Sequence, residues 1–267
     1  MEQEYVHGYS ESEARRLHDQ AQTLSGLLHA DTYYKDGERV LEMGCGVGAQ
    51  TRILAGNSPL AKIISADVSE DSVRQAARLL NELRCDNVEF IVADIFHLPF
   101  DEQEFDHIFI CFLLEHLADT AEALSSLKRV LKKDGSITVI EGDHGSCFFH
   151  PNSPDARSAI NCLIQSQASA GGDALIGRRL YPLLKEAGFR EVTISPKMVY
   201  ADANRPDLVE GFTKNTFTAM VEGAREKALA LGLTTGKRFD KGVMDLYRTA
   251  QPEGVFCYTF FKAFALL

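Results

Sequence analysis

Apolar and polar positions along the first half of this chain fall into alternating short runs and helical repeats. Arg39 to Met43 is a short apolar run that ends in glycines, and Thr51 to Ala55 opens a helix. Lys62 to Val68 (KIISADV) reads as a second strand, and Ser69-Glu70-Asp71 caps a helix reaching about Arg84. The Ser69 oxygen can accept from the first free amides there, and the two acids suit the positive end of the helix dipole. Asn87 to Ala93 (NVEFIVA) and Phe105 to Phe112 (FDHIFICF) are the third and fourth strands. The pattern then predicts a helix from about Thr120 to Lys132, a turn at Asp134-Gly135 and a fifth strand from Ser136 to Glu141. Upstream, Leu17, Ala21, Leu24, Leu27 and Leu28 recur at three- and four-residue spacing, which makes Ser10 to Ala30 helical.

Beyond Glu141 the alternation breaks. Gly142 to Gly172 holds glycines, prolines, two histidines and an apolar helix around Arg157 to Ala168, and reads as an inserted cap. Leu175 to Ala187 is a helix stopped by Gly188, and Phe189 to Tyr200 is a strand. Pro206 to Leu231 and Lys237 to Thr249 are helical, and Val255 to Ala265 (VFCYTFFKAFA) is an aromatic-rich closing strand. Short apolar runs joined by helices indicate an α/β fold whose mostly parallel sheet is covered on both faces. Such sheets bind ligands beyond the carboxyl ends of their strands, which here means just after residues 43, 66, 93 and 111. The expected organisation is an N-terminal helical segment (1–37), a nucleotide-binding core (38–142), a cap insertion (143–173), and the rest of the sheet (174–267) with a second helical insertion at about 202–250.

Charge narrows the partners. The chain has 38 acidic and 28 basic residues and a net charge of -10, which repels a phosphate backbone, so no nucleic acid partner is expected. Lys128-Arg129 with Lys132-Lys133 is the one candidate basic stripe, and it falls in the last turn of a predicted helix, where cations complement exposed carbonyls. The six cysteines show neither CxxC pairing nor metal-ligand spacing, and no acidic or histidine cluster suggests a metal. An acidic N-terminus without an apolar leader, and no apolar run of membrane-spanning length, predict a cytoplasmic protein with no membrane association, a monomer or homodimer.

The chemistry concentrates in Val40-Leu41-Glu42-Met43-Gly44-Cys45-Gly46-Val47-Gly48. Glycines at alternate positions let the backbone turn sharply and leave no Cβ in the way of a ligand. Glycine-rich strand-to-helix turns serve many nucleotide-binding proteins, so further features are needed. The spacing is GxGxG after an acid, Glu42, and not the GxGxxG of dinucleotide folds. Asp67 ends the second strand, nineteen positions after Gly48, where a carboxylate can take both ribose hydroxyls. Asp94 ends the third strand, between Ala93 and Ile95, where a short acid can accept from an adenine amino group. Each acid alone could equally be a helix-entry or turn residue.

Together with His97-Leu98-Pro99-Phe100 and Phe112-Leu113-Leu114-Glu115-His116-Leu117, these residues resemble the class I methyltransferases that use S-adenosylmethionine (SAM). The resemblance covers about residues 38–142. It implies a Rossmann-like seven-stranded sheet with an antiparallel last strand, supplied by Val255 to Ala265, and a helical cap. It further implies that Glu42, Gly44, Cys45, Gly46 and Gln50 line the methionine part of SAM, and that Asp67 and Val68 take the ribose side. Ala93, Asp94 and Ile95 would take the adenine, with Cys111, Phe112 and His116 beside the sulfonium. In similar enzymes an N-terminal helix folds over the cofactor. Tyr5, His7, Gly8, Tyr9, Arg16 and Gln20 crowd that segment here, and Tyr9 and Arg16 are the residues suited to the cofactor carboxylate, although Arg16 reads equally well as an exposed helical arginine.

Methyl transfer is an in-line displacement from an already activated donor, so much of the catalysis comes from alignment in a dry pocket. A general base is needed only for an acceptor that holds its proton. Asp143 and His144 after the fifth strand, beside Glu141, and Glu115 and His116 after the fourth, are the groups placed to serve; Asp143, His144 and His116 are the catalytic candidates. Packing roles for His116 and His144 stay open. Apolar residues in the two insertions, including Phe148, Phe149, Tyr200, Phe212, Phe217 and Met220, suit the enclosure of a small-molecule acceptor. Three other functions fit less of this pattern: a nicotinamide-dependent oxidoreductase, a non-catalytic SAM-binding regulatory module, and a methyltransferase acting on protein or RNA.

Overall fold

The computed structural model describes the chain from residue 11 onward, with side chains from residue 16. In chain order the first elements are α1 (Glu11–Leu28), β1 (Arg39–Met43), α2 (Thr51–Asn57), β2 (Lys62–Asp67), α3 (Glu70–Glu82), β3 (Val88–Val92) and β4 (Phe105–Cys111). They continue with α4 (Thr120–Val130), β5 (Leu131–Gly142), β6 (Phe148–His150), α5 (Pro154–Ser169), α6 (Leu180–Glu186) and β7 (Arg190–Ala201). After these come α7 (Pro206–Leu208), a π-wound stretch over Val209–Thr218, α8 (Ala219–Gly223), α9 (Arg225–Ala230), α10 (Gly236–Arg248) and β8 (Val255–Leu266).

The sheet has the order β3-β2-β1-β4-β5-β8-β6, with β7 also paired to β8. The first five strands pair in parallel, Val40 of β1 lying beside Ile63 of β2 and His107 of β4. The chain leaves β1 toward β2 and later returns to β4 on its other side, so the strand order reverses at the carboxyl end of β1. Val40, Leu41, Ile63, Ile108, Phe109, Ile110, Ile137 and Val139 are buried, which explains the unbroken apolar runs in sequence. The helices begin as their caps require. Ser69 accepts from the Ser72 amide at 3.2 Å, Asp119 from the Glu122 amide at 2.8 Å, and Ser153 from the Ala156 amide at 3.1 Å.

Three local readings change. Helix α4 stops at Val130, two residues early, so Lys132 and Lys133 lie in β5 and not in a helical turn. Asp134-Gly135 does not join a helix to a strand. It forms an irregularity inside β5, where the register to β4 jumps between Phe105 and His107 and Asp134 has φ of +64°. The segment read wholly as cap contributes an eighth strand, because Phe148–His150 pairs antiparallel with Val255–Cys257 of β8. Three of the four residues of the basic stripe are engaged internally. Lys128 donates to the Ala187 carbonyl, Arg129 to the carbonyls of Leu98 and Phe100, and Lys132 to Asp106.

By contacts the chain divides into two compact units. One contains Ser25–Glu141, Gly177–Pro196 and Phe261–Leu267, and holds the parallel strands. Within it, the buried Lys262 ammonium meets the Leu28 carbonyl, Asp31 and Thr32, which ties down the end of α1. The other contains the described residues up to Leu24, Gly142–Ile176 and Lys197–Phe260. Its core packs α5 on α10, where Gly242 meets Ala159, buries Ala156, Leu163, Val243 and Leu246, and gathers Phe212, Phe217, Phe256, Tyr258 and Phe260 into one aromatic cluster. Ring centroids of the contacting pairs there lie 4.6 Å (Tyr258 and Phe260) to 6.4 Å (Phe212 and Phe217) apart, the range of favourable edge-to-face and tilted contacts. Among the described residues no helix is long and apolar enough to cross a membrane.

Candidate active site

The glycine segment turns where strand order reverses, and its path is set by backbone bonds. Gly44 and Cys45 amides donate to the Ala66 carbonyl at 2.8 and 3.0 Å, and the Gly48 amide to the Cys45 carbonyl at 2.9 Å. Gly46 and Gly48 both take positive φ, +51° and +81°, but for different reasons. A Cβ on Gly48 would press on Ala76 of α3 at 3.0 Å, whereas a Cβ on Gly46 would meet nothing within 4 Å. Gly48 therefore permits helix packing, and Gly46 leaves an open backbone face on which a ligand can lie.

Asp67 stands at the end of β2 with both oxygens engaged. Its Oδ2 accepts from the Gly46 amide at 2.8 Å and its Oδ1 from the Ser69 amide at 2.9 Å, so the carboxylate is held in one orientation. Burial raises its pKa, while the Ser69 and Gly46 amides pull it back down. Val68 beside it is an exposed apolar side chain. At the end of β3, Ala93 and Ile95 are buried around Asp94, whose carboxylate is about half exposed and accepts from the Phe96 amide at 3.0 Å. The Ala93 amide bonds the Asp67 carbonyl at 2.9 Å, so the two acids stand on adjoining strand ends.

Glu42 is buried beneath this loop at 2 % exposure, where it accepts from the Ser65 hydroxyl at 2.6 Å. Burial pushes its pKa up to about 7. It sits at the carboxyl end of β1, two residues before Gly44. Cys45 is also buried, and burial raises its thiol pKa far above the usual range. Gln50 meets His29, whose Nε2 lies 2.8 Å from the amide oxygen. His29 is almost fully buried, and burial lowers its pKa to about 4, so the ring is neutral at pH 7. No local pattern singles out His29, because its partner is 21 positions away.

After β4, Cys111 is buried and Phe112 adopts φ of +58°, a conformation costly for a residue with a bulky side chain. Glu141 holds the turn that follows. Its Oε1 accepts from the amides of Leu113 at 3.1 Å and Leu114 at 2.7 Å. Glu141 is wholly buried, and burial, reinforced by nearby Glu115, raises its pKa well above the normal carboxylate value. His116 is half-buried in the short helical turn Leu114–His116, with Nε2 3.6 Å from Glu115.

The remaining candidates lie in the other unit. Asp143 is buried and caps the turn His144–Ser146, its Oδ1 accepting from the Gly145 amide at 2.9 Å. His144 is buried too, with Nδ1 2.8 Å from the Tyr258 hydroxyl and its ring edge-on to Phe217. Arg16 is half-buried in α1 and donates to Gln20 at 3.2 Å. Tyr5, His7, Gly8 and Tyr9 lie outside the described residues. Among the described residues no cluster of His, Cys, Asp or Glu is arranged to hold a metal ion.

A methyltransferase domain model matches residues 34–188. A 37.1 kDa protein in transposon TN4556 of Streptomyces fradiae is 32% identical over 207 residues, 77% of this chain and 59% of that protein. Demethylmenaquinone methyltransferase of Clavibacter sepedonicus is 37% identical over 132 residues, 49% of this chain and 50% of that enzyme. The matched regions thus span about half to six-tenths of the length of these relatives. The YcgJ protein from Bacillus subtilis has a similar fold, with a TM-score of 0.57 at 17% identity over 95% of this chain and 98% of that one. Since the family model covers more than half of the chain and the strand order and loop agree with it, the protein belongs to the methyltransferase domain family, of the class I, SAM-dependent kind.

Proposed function

We propose that this chain is an enzyme that transfers the methyl group of SAM to an O, N or C atom of a small molecule by in-line displacement. The observation that carries this reading is the alignment of the open Gly46 backbone, the oriented Asp67 carboxylate and the half-exposed Asp94 carboxylate on neighbouring strand ends. These groups fit SAM: an open glycine face, a fixed acid for two ribose hydroxyls, and a second acid for the adenine amino group. When bound, SAM supplies a methyl group already activated on a sulfonium.

The protein's own part is to bind and orient. Gly44, Cys45, Gly46 and Gln50 border the loop, Asp67 and Val68 take the ribose side, and Ala93, Asp94 and Ile95 take the adenine. Cys111, Phe112 and His116 follow β4, where Glu141 fixes the backbone. Tyr9 and Arg16 are assigned to the cofactor carboxylate. Residues 1–37 serve as a lid in this reading, and 143–173 with about 202–250 as the acceptor cap. Asp143 and His144 belong to that cap, next to an aromatic cluster suited to an apolar acceptor. A relative named for demethylmenaquinone methylation supports a small-molecule acceptor over protein or RNA.

Calorimetry with SAM and with NAD, followed by incubation of the protein with methyl-labelled SAM and a metabolite extract, tests the proposal. Expected are SAM binding and label in a small-molecule product. Binding of NAD alone would overturn the cofactor. SAM binding without any transfer would favour a regulatory module, and label in protein or RNA would overturn the acceptor class.

A further inference from the structure

Helix α5 has two working faces. Ala156, Ala159 and Leu163 are fully buried and belong to the side that packs with α10. Arg157, Ile160, Asn161 and Ile164 follow a three-, four- and seven-residue spacing that places them on one other face. That face and the turn containing His144 and Gly145 enclose a hollow of about 150 Å³. All of it lies within one compact unit. Ile160 and His144 are each 5% exposed and form its buried wall, while Arg157 and Asn161 are exposed at its mouth.

Among the described residues the hollow is lined by one arginine, one imidazole, one primary amide, one thiol, one glycine and two isoleucines, and by no carboxylate. This is a selective composition in a chain with 38 acidic residues. Arg39, Arg74, Arg225 and Arg238 are each neutralised by a carboxylate. Arg157 is held by neutral groups instead. Its Nε donates to the Asn152 side-chain oxygen at 3.1 Å, and its guanidinium carbon lies 5.0 Å over the Phe149 ring. Phe149 is itself buried and stacked on Phe256 at 6.3 Å. One edge and one face of the guanidinium are therefore fixed, and its two terminal nitrogens have no carboxylate partner among the described residues. A planar fork held in this way presents two parallel donors to an anion with little further ordering cost.

We infer that this hollow binds the anionic group of a small organic molecule, a carboxylate or phosphate monoester carried on an apolar body. Arg157 grips the anion, Asn161 adds an amide, Ile160 and Ile164 cover the apolar part, and His144 closes the inner wall. That the ligand is the methyl acceptor rests on the proposed function; that an anion binds here does not.

Calorimetry on the full chain tests this with benzoate and phenyl phosphate as probes and benzamide as the neutral match. Expected is a preference for at least one anion over benzamide by about tenfold or more, lost in Arg157→Met and reduced in Asn161→Leu. Which anion binds better decides between a carboxylate and a phosphate ligand. Equal binding of benzamide and both anions overturns the inference, and that comparison needs no variant. Anion binding unchanged in folded Arg157→Met overturns it as well. SAM titrated into the same samples separates the two claims. SAM binding without anion preference sinks this site alone, whereas anion preference without SAM binding sinks the methyltransferase reading alone.

Discussion

The loop after β1 and the turn after β5 both continue from buried strands of one sheet, yet they are built from different materials. In the first, the chain is held mainly through backbone amides: those of Gly44 and Cys45 meet the Ala66 carbonyl and that of Gly46 the Asp67 carboxylate, both at the end of the adjoining strand β2. In the second, the position of His144 depends on the Tyr258 hydroxyl, 114 residues away, and on the ring of Phe217. Backbone groups are the same for every sequence, so the first arrangement can be kept while the second is rebuilt for another ligand. The difference predicts that variants of the first region change cofactor binding or global stability. Variants of the second should change what else the protein binds.

The hardest break comes at Glu141, which holds the turn after β4 from the end of β5. Glu141→Ala strands the partly buried Leu113 amide and the buried Leu114 amide and should cost about 3–5 kcal/mol of unfolding free energy, read by chemical denaturation. Glu141→Gln keeps an acceptor oxygen and should cost much less. Equal losses from the two would mean that the carboxyl group itself, and not an acceptor oxygen for these amides, is what matters there, since Gln keeps both the volume and one acceptor.

Glu42 offers a test by pH. Its folded pKa is raised to about 7 from an ordinary value of 4.5, so the fold favours the neutral acid. The associated stability is fully present below 4.5 and is lost as pH rises through about 7, where the folded state also gives up the proton. The loss attributable to this group is of the order of 3 kcal/mol at most. Burial shifts Asp67 and Glu141 in the same direction, so part of the fall remains without Glu42. Unfolding measured across that interval should decline less in Glu42→Gln than in the native protein; parallel curves would remove Glu42 from the account.

How much of this was legible in sequence follows the same division. Strands β1 to β4 lie within a residue or so of their apolar runs because each run is bounded by glycine, a cap or a polar step, as at Ser69. The end of α4 was misread because Leu131-Lys132-Lys133 carries no helix stop, and strand pairing overrides its propensity. Strand β6 is three residues long, and its partner lies more than a hundred positions away. The positive φ of Phe112 and the contact of His29 with Gln50 leave no local trace either. Asp67 and Asp94 could be found because strand ends in a parallel sheet converge by topology. The hollow beside α5 could not, since it exists only once a turn and a helix face meet.

Two glycines sharpen the first region further. Gly48→Ala adds a Cβ 3.0 Å from Ala76 at a residue with φ of +81°, and should cost about 2–3 kcal/mol. Gly46→Ala meets open space and should cost about 1 kcal/mol from its positive φ alone, while weakening SAM binding by about tenfold or more. Thermal unfolding and calorimetry on both variants separate a packing glycine from a ligand-facing one. The assignment fails if Gly46→Ala binds SAM normally.

The smallest expected effect tests the second region. Tyr258→Phe deletes the hydroxyl 2.8 Å from His144 and leaves the aromatic cluster intact, so stability should fall by only about 1 kcal/mol. The imidazole then loses one of the contacts that orient its ring. If His144 only packs, binding of SAM and of benzoate should both match the native protein. If it forms the inner wall of an anion site, benzoate affinity should weaken while SAM affinity holds, because a ring less firmly oriented presents a less fixed surface. A parallel loss of both affinities would show that the turn after β5 and the loop after β1 respond together, and the division between a backbone-built and a side-chain-built region would fall with it.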